Sequence, residues 1–228
     1  MAPPVKRQYR SPARERAAAQ TRATIREAAA RLFVEQGYAL TTMRHVADEA
    51  EVSERTVYLV FPTKLDLFGE VIGIAMAGDD QPIPIAQRPE FLEALGEKDG
   101  ARALALSVEG AAALLERAGS LIMAGYESAG ADEGLRAAAR GGEAARAQDL
   151  RLVTEALATH GALRPGLTVD EATDILLALA SPQVHQMLRR DRGRSLGEYK
   201  RMIRIALQSA LLAGHHDGNA VDPTSRAE

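Results

Sequence analysis

Apolar residues recur along this chain with a helical period. Between Ala13 and Gln36, the residues Ile25, Ala28, Ala29, Leu32 and Phe33 fall three and four positions apart and share one helix face. Gly37 is the expected stop, because glycine takes up the left-handed conformation that ends helices. Val46, Ala47 and Ala50 repeat the spacing over a shorter span, and Val57, Val60 and Phe61 repeat it one segment later. Glu51-Val52-Ser53 lies between them, long enough only to turn the chain. Thr42 and Ser53 stand where N-caps belong, each able to accept a hydrogen bond from a free backbone N–H of the helix it opens. Pro62 closes the second short helix. Thr63 opens the next, with Lys64 and Asp66 in its first turn and Leu65, Leu67, Phe68, Val71, Ile72 and Ile74 inside.

Gly78 to Pro89 carries three prolines and two aspartates and reads as a connection between domains. Beyond it the chain is Ala-rich and helical: 91–95, 101–118, 121–127, 133–140 and 144–159, with Gly141-Gly142 expected to interrupt the last two. Thr168 with Glu171, and Ser195 with Glu198, have capping-box spacing. The helix after Thr168 carries Ile175, Leu176, Leu179, Val184, Met187 and Leu188, with Pro182 expected as a kink. The last helix has two apolar stripes. Tyr199, Ile203, Leu207 and Leu211 form one, and Met202, Ile205, Ala206, Ser209 and Ala213 the other. A helix apolar on two sides needs two partners, its own domain and a second subunit.

No segment alternates like a strand, and no phosphate-binding loop or repeat is present. The expected fold is all-α, with an N-terminal helix-turn-helix domain and a C-terminal helical bundle, to which the family resemblance given below adds ligand binding and dimerisation. The domains expected are a disordered basic arm over 1–12, the helix-turn-helix over 13–77, the bundle over 78–214 and a disordered tail over 215–228.

Two short helices joined by a tight turn form a helix-turn-helix. Its second helix turns Glu54, Arg55, Thr56, Tyr58 and Leu59 outward, and Arg, Thr and Tyr suit phosphate and base contacts. The DNA-contact candidates are Thr42, Arg44, Ser53, Arg55, Thr56, Tyr58 and Lys64. Thr42, Tyr58 and Lys64 are expected on phosphates, and Arg44, Arg55 and Thr56 on base edges.

Charge sharpens this picture. The 228 residues carry a net −3, but residues 1–64 hold 11 Lys/Arg against 7 Asp/Glu and the remainder 17 against 24. A +4 end on a −7 body suits a protein that meets a polyanion through one end. The first twelve residues, with Lys6, Arg7, Arg10 and no acid, read as an arm that tracks phosphates or enters the minor groove. No Cys, no signal-peptide core and no bilayer-spanning apolar run are present, which points to the cytoplasm and away from the membrane.

Catalytic and metal chemistry find no support. His45, His160, His185, His215 and His216 do not make a helical i, i+4 metal pair with a third ligand. No serine sits in a nucleophile elbow and there is no cysteine. No enzyme activity and no cofactor are expected.

Thr41-Thr42, Ala47, Val52-Ser53, Thr56-Val57-Tyr58, Phe61 and Thr63-Lys64, preceded by Phe33-x-x-x-Gly37-Tyr38, resemble the DNA-binding domain of the TetR (tetracycline repressor) family from about Thr21 to Phe68. Two positions depart from it. Glu51 stands where the family often has Gly, and Val60 where it usually has an aromatic or His. The resemblance implies a homodimer on double-stranded DNA with a near-palindromic operator, and a repressor whose small-molecule effector changes the separation of the recognition helices. Its effector pocket would draw on Phe91, Leu95, Leu121, Met123 and Tyr126. Its dimer bundle would use Ile175, Leu176, Leu179, Val184, Met187, Met202, Ile203, Leu207 and Leu211. Glu51, Glu54 and Val60 support one competing reading, a helical small-molecule-binding or scaffolding protein whose helix-turn-helix does not bind DNA.

Overall fold

The computed structural model describes residues 12–213. The arm expected before Pro12 and the tail carrying His215 and His216 lie outside those residues. Eleven α-helices, a 3-10 turn at Ile85–Gln87 and a π-helical turn at Met187–Asp191 make up the regular structure of the described residues, which include no strand. The α-helices are α1 (Pro12–Glu35), α2 (Gly37–Leu40), α3 (Met43–Glu49), α4 (Glu54–Val60), α5 (Lys64–Ala77), α6 (Pro89–Gly96), α7 (Gly100–Ser128), α8 (Glu133–Thr159), α9 (Val169–Leu179), α10 (Pro182–Gln186) and α11 (Leu196–Leu211). The fold is all-α with a helix-turn-helix at its N-terminal end.

Packing divides the chain into two compact units. Among the described residues the first takes 12–82 together with Ala113–Glu143, and the second takes Ile83–Ala112 and 144–213. The sequence suggested one boundary at residue 78. Packing adds the second half of α7 and the start of α8 to the N-terminal unit.

Local chemistry set the helix starts as expected. Thr42, Ser53, Thr63, Thr168 and Ser195 each accept a hydrogen bond from the backbone N–H three residues on, and the last three complete capping boxes with Asp66, Glu171 and Glu198. Three expectations fail. Residues 101–118 and 121–127 are one continuous helix, α7. Gly141-Gly142 does not interrupt α8, where both glycines face open space in mid-helix. Pro182 does not kink a helix but begins one: α9 stops at Leu179, and Ser181 caps α10 with Pro182 in its first turn. Proline is well placed there, since its missing N–H is one that the first turn leaves unpaired anyway.

The first unit is centred on Ile25, Ala28, Ala29 and Phe33 of α1, packed against Val46, Ala47, Val57, Phe61, Leu67 and Phe68. Phe33, Tyr38 and Phe68 form an aromatic trio, with the Phe68 ring 4.8 Å from Phe33 and 4.9 Å from Tyr38 in edge-to-face geometry. Leu121 of α7 and Leu135 of α8 complete this core. Two glycines allow the close approach: a Cβ at Gly125 would lie 3.2 Å from the Phe68 ring, and one at Gly134 would lie 3.0 Å from Leu65. Arg117 of α7 donates to the carbonyls of Ala75 and Met76 at 3.0 and 2.9 Å, satisfying the open C-terminal end of α5.

In the second unit Leu104, Val153, Leu157, Leu176, Tyr199, Ile203, Leu207 and Leu211 form one core. Leu176, Ile203, Leu207 and Leu211, expected at a subunit interface, are all buried within their own chain. The reason is α11's register. Its Tyr199–Ile203–Leu207–Leu211 stripe faces α9 and α7, and only the other stripe is left outside. Ile175, Leu179 and Val184 are half-buried against the same core. Met187 and Met202 remain exposed at 46% and 40%, joined by Ile205 at 53%.

Candidate nucleic-acid interface

The α3–α4 pair is built from small contacts. Val46, Ala47 and Ala50 of the first helix and Val57 of the second are buried, so the backbones pack closely. The turn between them is left-handed at Glu51, with φ of 53°. This is the conformation that the expected Gly would supply, adopted here by a residue with a Cβ. The turn keeps its shape and carries a backbone strain of about 1 kcal/mol.

The sequence-predicted contact residues converge on this pair and its borders. Arg44 and Arg55 are exposed, Tyr58 is half-exposed, and Thr42 lies at the solvent-facing start of α3. Thr42 and Ser53 hold the helix starts, Thr42 accepting from the His45 N–H at 3.1 Å and Ser53 from the Thr56 N–H at 3.1 Å. The Thr56 and Ser53 hydroxyls are 2.7 Å apart, so Thr56 is half-buried and engaged with the cap.

Lys64 has a different setting from the one expected. Its Nζ donates to the carbonyls of Tyr38 and Thr41 at 2.9 and 3.0 Å and lies 4.1 Å from the centre of the Tyr38 ring. Those carbonyls close α2 and lead into α3, so the ammonium clamps α5 to the entry of the helix-turn-helix. One N–H and the charge remain for other contacts. Burial holds the Lys64 pKa below its ordinary value, with Asp132 opposing the shift. Burial also raises the Tyr38 phenol, with Asp132 acting in the same direction.

Sequence reasoning missed Arg22 and Glu70. Arg22 of α1 donates from Nε to Glu70 of α5 at 2.7 Å and from Nη1 to the Val60 carbonyl at 3.3 Å, and its guanidinium lies 4.4 Å from the centre of the Phe61 ring. One side chain therefore touches α5 and the end of α4 together. Arg26 adds a 3.1 Å contact to Glu70. Nothing in the local pattern around residue 22 signals a partner 48 positions away.

The expected effector residues are shared between the two units. Phe91 and Leu95 pack against the core of the second unit, while Leu121 is in the core of the first. Met123 is half-buried, and the Tyr126 hydroxyl pairs with Glu143 at 3.0 Å. A cavity of about 530 Å³ opens among α1, α5 and α7 of the first unit, lined by Ala30, Val34, Val71, Ile74 and Arg117, and of the five expected residues only Leu121 reaches it.

Residues 25–71, the span that holds this geometry, match the family model described as bacterial regulatory proteins, tetR family. The chain carries the DNA-binding domain of the TetR family. No curated protein sequence matches the chain. Among solved structures it is similar to NalD of Pseudomonas aeruginosa, the secondary repressor of the MexAB-OprM multidrug efflux pump, at 25% identity and a TM-score of 0.68 over 86% of this chain and 98% of that one. It shares its fold with a protein from Saccharomonospora viridis, described as a transcriptional regulator and solved in complex with choline, at 20% identity and a TM-score of 0.67 over 86% and 100% of the two chains. A TetR transcription regulator from Haloarcula marismortui has the same fold, at 18% identity and a TM-score of 0.62 over 85% and 99%.

Proposed function

We propose that this protein is a homodimeric transcriptional repressor that binds a near-palindromic DNA operator through α3–α4 and is released by a small-molecule effector. The observation that carries the reading is α4 itself. A buried Val57 fixes it to the unit, while Arg55 and Tyr58 stand on its open side and Arg44 of α3 is exposed as well. Arg44 and Arg55 read base edges, and Thr42 and Tyr58 hold phosphates and set the register. The charge difference between the chain's two ends supports the same orientation.

Two further observations support the remainder. The exposed Met187, Met202 and Ile205 give the second unit an apolar face, and a second copy covers it in the proposed dimer. The choline complex of the Saccharomonospora viridis protein supports a ligand-responsive second unit, in which Phe91 and Leu95 are the residues to probe. Such an effector acts only through a difference in affinity for the DNA-competent and DNA-incompetent states.

Glu51 no longer favours the competing reading, because the turn keeps its left-handed shape around it. The deciding experiment is footprinting of the full-length protein on the DNA upstream of its own gene. A protected near-palindrome is the expected result. Binding equally weak on all DNA, with no protected site, overturns sequence-specific regulation.

A further inference from the structure

Leu59 is the most exposed large apolar side chain of the described residues, at 74%, and its own fold gives it almost nothing to pack against. An exposed leucine alone means little, since isolated apolar residues are common on surfaces. Its position is what matters. Arg55, Tyr58 and Leu59 lie at i, i+3 and i+4 of α4, so they share one face, and Val57, fully buried, marks the opposite one. In the orientation proposed above, this is the face turned to the major groove. There the base edges offer hydrogen-bonding groups that a guanidinium can use, and one apolar group, the C5-methyl of thymine. A Lys, Gln or Glu would serve the helix as well as Leu at a solvated position, so helix propensity does not account for the residue.

We propose that Leu59, one turn of α4 beyond Arg55, is a specificity-determining residue that packs against a thymine C5-methyl close to the base read by Arg55. The inference rests on the DNA-binding reading above. Four residues advance a helix by about 6 Å, and successive base pairs lie about 3.4 Å apart, so the thymine lies within about two base pairs of the base under Arg55. Each half-site of the operator therefore pairs the base read by Arg55 with a nearby thymine whose methyl group, rather than its hydrogen-bonding edge, is recognised.

The test uses the full-length protein and a duplex it enriches from a random-sequence library. A series of copies replaces one thymine at a time with deoxyuridine, which removes only the methyl group. Binding is titrated by fluorescence anisotropy at fixed salt. At one thymine in each half-site, the replacement weakens the wild-type protein about fourfold, the value of one buried methyl-sized group. Leu59→Ala then binds the thymine and uracil duplexes equally, while Leu59→Met, still apolar, keeps a preference for thymine. Indifference of the wild type to every replacement overturns the proposal. So does a Leu59→Ala protein that retains the full methyl preference, because another residue then reads the methyl. A wild-type protein that enriches no sequence and binds no duplex overturns the DNA-binding reading itself, an outcome separate from the other two.

Discussion

Arg22 grips both carboxylate oxygens of Glu70, and the same guanidinium reaches the last carbonyl of α4. The pair fastens α1 to α5 and also holds the end of the helix that carries Arg55. Arg22 and Arg26 keep the Glu70 carboxyl below the ordinary carboxylate range, Arg22 through its hydrogen bonds being the larger cause, with burial opposing them. A depressed carboxylate pKa stabilises the fold above its unfolded value, near 4.5, and that stability is lost as pH falls through the folded value. Glu70→Gln should therefore lower stability by about 1–2 kcal/mol at neutral pH, a figure reduced for the 43% exposure of the Arg22 side chain. The deficit should shrink as pH falls below about 4.5. Denaturant melts at neutral and acid pH check this, and a deficit that does not change with pH would remove the ion pair as its cause.

Glu51 offers a gain in stability. Its left-handed backbone strains any residue with a Cβ, and glycine relieves the strain at some cost in unfolded-chain entropy. Glu51→Gly should raise stability by about 0.5–1 kcal/mol. Glu51→Ala removes the same charge but keeps the Cβ and should gain nothing comparable. Equal thermal shifts for the two variants would trace the effect to charge instead.

The last helix separates core from interface. Leu207 is fully buried in its own chain and Ile205 is half-exposed on the other stripe. Leu207→Ala should cost about 2–5 kcal/mol of fold stability. Ile205→Asp should leave the helical signal intact and shift sedimentation toward the monomer, since an interface charge without a partner is costly to bury. If Ile205→Asp sediments as a dimer, the exposed stripe does not form the interface.

How much of this was legible in the sequence depends on how local each feature is. Thr42, Ser53, Thr63, Thr168 and Ser195 act on backbone groups three residues away, so spacing alone located five helix starts. Arg44, Arg55 and Tyr58 were likewise visible as the polar side of an amphipathic pair. Gly141-Gly142 misled because a glycine costs a helix only about 1 kcal/mol, which packing of Leu135, Val153 and Leu157 along α8 outweighs. The two stripes of α11 were both visible, but which one faces inward is decided by α7 and α9, distant in sequence. Lys64 shows the same limit, because its carbonyl partners lie 23 and 26 residues earlier.

Lys64 and Arg55 together test how the interface divides its work. Two of the three Lys64 N–H groups are committed to the Tyr38 and Thr41 carbonyls, so Lys64→Ala removes a clamp as well as a charge. It should lower fold stability by about 1–2 kcal/mol by leaving those carbonyls without their donor. Any loss of DNA affinity should then be alike on operator and scrambled DNA, and a Lys64 that also reaches a phosphate should reduce the salt slope by roughly one per subunit. Arg55 lies in the first turn of α4, is exposed, and carries no part of the fold. Arg55→Ala should leave the melting temperature unchanged and cost about 1–3 kcal/mol per half-site on the operator, with a far smaller loss on scrambled DNA. Binding titrations at several salt concentrations on both DNAs, alongside thermal melts, separate these effects. Equal losses on the two DNAs for Arg55→Ala would make it a phosphate contact, and a Lys64→Ala protein that melts like the wild type would show that the clamp does not bear on the fold.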